Sequence, residues 1–221
     1  MARQQVPGSK KFASIGILFT EDEMLTLIGD VHGRYDDYLD LIEDVKGHSL
    51  QLGDFGFKYD CLKHVDPERH RLFGGNHDNY DVLPRVLNDL GDFGMRSLGG
   101  VDFYFLRGEN SVDRWSRTEG VSWWRAEELS MSQGYAAVED YAAHKPEIMV
   151  SHGCPEGVMP IFLTNPAKQI SPSRTSQILQ AMLEAHRPKM WVFGHHHNDR
   201  SFDEGGCRFV CLNELSAMTL D

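Results

Sequence analysis

The sequence predicts an α/β fold built from strand–helix units around a mainly parallel central sheet. Three observations predict it. Short apolar runs, such as Met24 to Ile28 and Ser49 to Leu52, alternate with segments whose apolar residues recur at helical spacing. Several of these runs stop at a glycine followed closely by Asp, Asn or His. The length of 221 residues, 41% of them hydrophobic, suffices to bury one core without disulfide staples.

The elements follow in order. Residues 1–20 show no clear period and are expected to form a mobile arm or an added edge strand. Met24 to Ile28 reads as a buried strand. Arg34 to Lys46 reads as a helix, with Tyr38, Leu39, Leu41, Ile42 and Val45 near helical spacing and Gly47 placed as its C-cap. Ser49 to Leu52 and Arg71 to Phe73 are the next strands, each ending at glycine. Tyr80 to Leu90 reads as a helix with Pro84 in its first turns. Met95 to Leu98 and Val101 to Leu106 flank Gly99-Gly100, the signature of a tight hairpin, with Val101, Phe103 and Phe105 on one face. Residues 107–129 are irregular and rich in Trp and Arg. Ser132 to His144 and Ser176 to His186 read as helices, Ile148 to Val150 and Met190 to Phe193 as strands. A last hairpin carries Arg208 to Leu212 after Gly205-Gly206. No repeat or linker interrupts the pattern, so residues 1–221 are expected to form a single domain.

The formal net charge of -11 argues against a broad basic surface, so extended nucleic acid is not an expected partner. Cys61, Cys154, Cys207 and Cys211 lack paired spacing and are expected as free thiols of a reducing, cytoplasmic compartment. The apolar run Ile15 to Phe19 is broken by Gly16 and meets Glu21-Asp22-Glu23 without a small-residue cleavage site, which argues against a signal peptide. No stretch is long enough to span a membrane.

Five strand ends carry chemistry: Asp30-Val31-His32, Gly53-Asp54, Gly75-Asn76-His77-Asp78, Ser151-His152-Gly153 and Gly194-His195-His196-His197. Sites in open α/β sheets form at the carboxyl ends of strands. A donor set mixing imidazole with carboxylate and one amide suits Zn, Fe or Mn, whereas an all-oxygen set would suit Mg or Ca. The groups are too many for a single catalytic ion. Two ions sharing one carboxylate fit the count, and such pairs clamp the attacking and leaving oxygens of a displacement.

In this order the motifs GDVHG, GDFG, GNHD, SHG and GHHH resemble those of the calcineurin-like metallophosphoesterases, over Leu25 to about Asn198. The resemblance, including that to a small bacterial and phage-like subgroup, implies a four-layer αββα sandwich with two mixed β-sheets and a dinuclear centre. It implies that Asp30, His32 and His197 ligate a first metal, that Asn76, His152 and His195 ligate a second, and that Asp54 bridges them. It casts His77 as a non-ligand histidine facing the leaving group, where a cationic imidazole would give up a proton. The implied cofactors are two divalent metal ions, Mn in vitro, with Fe or Zn as alternatives. The implied reaction is phosphoester hydrolysis through a metal-bridging hydroxide.

The match departs where protein phosphatases of this superfamily carry Asp-Arg-Gly: here Phe57 and Lys58 stand in place of the Asp and Arg. Small phosphodiesters or nucleotides are therefore the expected substrates. A serine/threonine protein phosphatase-like monoesterase is the alternative, and a non-catalytic binding scaffold a more remote one. Candidate substrate contacts are Arg34, Lys58, Trp123 and Trp124, with Arg107, Arg114, Trp115, Arg117 and Arg125 in the same insert as the tryptophans. His196 is expected to line the pocket mouth because an extended segment points it away from its neighbours.

Overall fold

The structure is a computed structural model that describes residues 24–163 and 173–220. The arm expected at residues 1–20 lies outside the described residues. Strands β1 (Leu25–Ile28), β2 (His48–Gln51) and β3 (His70–Leu72) run parallel and follow one another in a four-stranded sheet, with β10 (Ala217–Leu220) antiparallel on the outer side of β1. A six-stranded sheet has the order β4 (Phe93–Leu98), β5 (Val101–Leu106), β6 (Ile148–Ser151), β7 (Met190–Phe193), β9 (Cys207–Cys211), β8 (Arg200–Glu204). Its inner pairs are parallel and its two edge pairs antiparallel. Both sheets are mixed, so the single central sheet read from strand–helix alternation is corrected to two.

Side-chain alternation explains the layering. Leu25, Leu27, Leu50 and Phe73 meet Phe103, Phe105, Val150 and Val192 in a core between the sheets. The opposite face of the larger sheet offers Tyr104, Leu106, Met149, Trp191 and Phe193 to helices α2 (Met131–His144) and α4 (Arg174–Ala185). The outer face of the smaller sheet offers Ile28 and Leu72 to α1 (Tyr35–Glu43), which buries Tyr38 and Ile42. The result is the four-layer αββα sandwich. A short helix α3 (Met159–Phe162) follows β6. Ser130 and Gln133 close a capping box on α2, a device worth about 1 kcal/mol. No helix among the described residues is long and apolar enough to cross a membrane.

Two expectations fail locally. Tyr80 to Leu90 is not a helix: only Leu83–Arg85 make a single 3-10 turn. The segment is drawn alongside β3 instead, where Leu90 N–H donates to the Leu72 carbonyl at 2.8 Å and Asn88 Nδ2 to the His70 carbonyl at 2.8 Å. Helix α1 ends at Glu43 with Asp44 as its cap, so Gly47 serves the turn into β2.

Candidate metal centre

Parallel strands from both sheets deliver their carboxyl ends to one place. The loops after β1 and β2 are tied together, because the amides of Val31 and His32 both donate to the Asp54 carbonyl, at 3.0 and 2.8 Å. The loop after β7 joins them through the His195 amide, which lies 3.1 Å from Asp30 Oδ1. Asp78, whose role the sequence leaves open, braces the assembly. Its buried carboxylate accepts from the Gly75 amide at 2.7 Å, the Gly56 amide at 3.2 Å and the Tyr59 hydroxyl at 2.8 Å. Burial, then the Asp54 charge, pushes its carboxyl up to about 6.

The approach is close enough to require glycine at two points: a side chain at Gly75 would collide with Asp54 Oδ1, and one at Gly194 with Asp30 Oδ1. His32, Asp54, His195 and His197 have left-handed φ of 50°, 55°, 63° and 47°. Each such residue costs about 1–3 kcal/mol and persists where surrounding structure over-determines it, as it does at functional sites.

One donor atom from each of Asp30, His32, Asp54 and His197 lies within 4.8 Å of the others, and the same holds for Asp54, His152 and His195. Asp54 belongs to both groups. In the first, His197 Nε2 lies 3.0 Å from Asp30 Oδ2 and 2.9 Å from His32 Nε2, and His32 Nε2 lies 3.7 Å from Asp54 Oδ2. In the second, His152 Nε2 lies 3.2 Å from Asp54 Oδ1 and 3.1 Å from Asn76 Oδ1. Neighbouring donors around an ion bound at about 2.1 Å sit about 3 Å apart, so these spacings fit divalent cations.

The orientation of the donors is built in. His152 Nδ1 faces the Leu52 carbonyl at 2.8 Å, which places its N–H there and leaves Nε2 for the centre. Asn76 Nδ2 donates to Ser111 Oγ at 3.2 Å, and Ser111 Oγ donates to Glu127 Oε2 at 2.7 Å. The amide oxygen of Asn76 is thereby turned inward. Ser111 and Glu127 went unnoticed in the sequence because both lie in the irregular insert and only the fold brings them behind Asn76. Ser111→Ala is expected to weaken metal binding about 10–100-fold, the scale of supporting contacts to ligands. A competitive chelator titration checks this, and an unchanged affinity would show that Asn76 needs no such brace.

Electrostatics favour cations. Burial opposes the charge of Asp30, but hydrogen bonds from His197 and His32 outweigh it and hold its carboxyl far below the usual range. Asp54 is also held low: burial opposes, and His152 dominates the lowering. Burial likewise opposes a charge on His152, yet Asp54 pushes that imidazole up to about 10. His195 is driven well down, by burial and then by its neighbours His196 and His152. Divalent ions compete for this negative field, and their binding displaces the protons it attracts.

The other expected contacts divide. His32, Gly33, Tyr35, Gly56, Phe57, Lys58 and His77 line an open pocket of about 300 Å³ beside the centre. Lys58 therefore stands at the site. Arg34 does not line this pocket; it pairs with Asp37 at 2.7 Å on the exposed side of α1. Trp124 is buried, donates its indole N–H to Asp81 Oδ2 at 2.8 Å and leans on Phe57, so it is scaffold and offers no stacking face. Trp123 is half-buried and outside the pocket lining. Trp115, 83% exposed, is the insert's open aromatic, with Arg114 over its ring. Arg107 is locked between Asp92 and Tyr80. His196 turns inward to Cys154 Sγ at 3.3 Å and against Phe193, so it does not line the pocket mouth.

His77 sits with its ring 4.9 Å from that of His32, while its amide donates to Asp54 Oδ1 at 2.6 Å. Burial, and next among the lowering influences Arg117, depress its imidazole against the opposing pull of Asp54.

The calcineurin-like phosphoesterase profile matches residues 24–199, the stretch that holds every one of these groups. The chain belongs to the calcineurin-like phosphoesterase family. A metal-dependent phosphoester hydrolase follows from that membership and from the donor clusters. Among solved structures, a putative 5'-nucleotidase from Staphylococcus aureus in complex with alpha-ketoglutarate aligns with 14% identity and a TM-score of 0.51 over 90% of this chain and 50% of that one. The phosphopantetheinyl hydrolase PptH from Mycobacterium tuberculosis aligns with 16% identity and a TM-score of 0.45 over 86% of this chain and 89% of that one. At such identities the first likeness speaks to fold alone. No curated protein matches the sequence.

Proposed function

We propose that this phosphoesterase works with two divalent cations and hydrolyses small phosphodiesters or nucleotides, with Mn supporting activity in vitro. The observation that carries the reading is the sharing of Asp54 by two donor groups. Asp30, His32 and His197 would hold one ion, Asn76, His152 and His195 the other, and Asp54 both. Bound there, the ions supply an activated water and neutralise phosphoryl charge.

The chain's own residues do the rest. Asp54 would keep close two cations that otherwise repel. Left-handed backbone at four ligands holds their side chains in one geometry and limits reorganisation. His77, on the pocket side, faces the leaving oxygen and passes it a proton taken up as the anionic substrate enters. Lys58 contributes a point charge where an arginine fork would grip a dianion, which suits the smaller charge of a diester. Tyr35 and Phe57 give the pocket aromatic walls for a nucleotide-like group.

After Mn loading, elemental analysis is expected to give about two ions per chain. The kcat/KM for bis-nitrophenyl phosphate should then exceed that for a phosphopeptide. A phosphopeptide preferred by about tenfold, or 1.4 kcal/mol, would restore the protein phosphatase-like reading. One ion per chain would overturn the dinuclear centre.

A further inference from the structure

We propose that Arg117, in the insert between β5 and α2, is the residue that binds the phosphoryl group directly, and that it moves to substrate from the ring of His77. The proposal rests on the hydrolase reading above. Arg117 is nearly buried, its side chain 12% exposed. Its Nε lies 2.8 Å from Asp113 Oδ1 and one terminal nitrogen 2.8 Å from Asp113 Oδ2, a bidentate anchor. The same terminal nitrogen lies 2.8 Å from His77 Nε2, and the other lies 3.2 Å from His77 Nδ1 and 3.2 Å from the Ser122 carbonyl.

The chemistry of the two side chains makes this a poor match. A guanidinium only donates, and a neutral imidazole accepts at one nitrogen. One of the two contacts with His77 is therefore not a hydrogen bond. Asp113 and the Ser122 carbonyl take up the rest of the guanidinium, so the one N–H without an acceptor is turned toward His77, which lines the pocket. A phosphoryl group has what the imidazole lacks, oxygens that accept several N–H groups in fork geometry. His77 lines the pocket and is bonded through its amide to Asp54, so a phosphate over the two donor groups lies within one side-chain rearrangement of Arg117.

The Arg117–Asp113 pair carries no net charge. It adds directed donors without the surplus charge that would favour a dianion, and so it is compatible with diester substrates. Its position also decides what lies next along the substrate. Arg114 and the exposed Trp115 are carried by the same 3-10 turn, and Arg117 caps it. A leaving group extending past the phosphoryl group meets this turn.

The test measures binding of inorganic phosphate to Mn-loaded protein by calorimetry, together with metal content and KM for bis-nitrophenyl phosphate. Arg117→Ala is expected to weaken phosphate about tenfold or more and raise KM, with metal content unchanged and partial recovery on adding guanidinium ion. Arg117→Lys keeps the charge and loses the fork, so it should weaken phosphate about threefold or more, and it decides the matter if the alanine variant does not fold. Phosphate affinity within about twofold of the parent in the folded variants would overturn the proposal. Binding needs no turnover, so failure of hydrolysis in the parent with phosphate still bound through Arg117 would overturn the hydrolase reading and leave this inference standing.

Discussion

Asp54→Asn is expected to abolish turnover, by about 10³-fold or more, and to lower metal content below two ions per chain. The magnitude follows from what is removed. Metal-ion stabilisation of a transition state is worth several kcal/mol, and each ~1.4 kcal/mol is tenfold in rate. Asp54 is the one side chain that belongs to both donor groups, with Oδ2 3.7 Å from His32 and Oδ1 3.2 Å from His152. An amide there can offer one oxygen but no charge, so the ions would repel across it. The buried charge of Asp54 also holds His152 up to about 10, and losing it changes that imidazole as well. Thermal unfolding gives a second readout. A ligand at a hundredfold excess over its Kd stabilises by about 2.7 kcal/mol per site, which in a chain of this size is a Tm rise of about 5–10 °C. The parent should show that rise on Mn loading, and Asp54→Asn a smaller one. A variant that keeps two ions and the full rise would show that Asp54 does not bridge.

The loops that build the centre are legible in the sequence for a local reason. Each candidate donor follows a short apolar strand within a few residues, and glycines mark where the chain turns or comes close, as at Gly75 and Gly194. The β4–β5 hairpin is equally local, since Gly99-Gly100 alone joins strands whose register pairs Leu98 with Val101. What the sequence hides is decided between elements. Strand–helix alternation cannot say which sheet a strand joins, so two sheets read as one. Strand β10 is four residues long and largely exposed, with no periodic signal before it pairs with β1. The segment Tyr80 to Leu90 has helical spacing, yet tertiary bonds to β3 outweigh that propensity. The same limit applies at the site. Trp124 and Lys58 both look like substrate contacts in sequence, and only packing separates them, Trp124 sealed behind Phe57 and Lys58 on the pocket wall. Asp78 follows His77 directly but turns the other way, to brace loops instead of the imidazole.

His77→Asn is expected to keep its metals and lose about 10²–10⁴-fold in rate, the usual scale for a lost general acid. The two halves of this expectation come from different contacts. His77 stands outside both donor groups, so metal content should not fall. Its ring lines the pocket and faces His32 edge-on at 4.9 Å, a position from which the proposed acid would reach a leaving oxygen. Burial and Arg117 work against a charge on the imidazole, and an anionic substrate that draws Arg117 away would favour one. The deficit should therefore depend on the leaving group. A nitrophenolate departs without much protonation and should show the smaller loss, whereas an alkyl or nucleoside alkoxide should show the full one. Asn retains a donor amide but cannot transfer a proton, which separates hydrogen bonding from acid catalysis. Equal losses for both leaving groups would assign His77 to binding alone, and a parallel fall in metal content would make it a ligand.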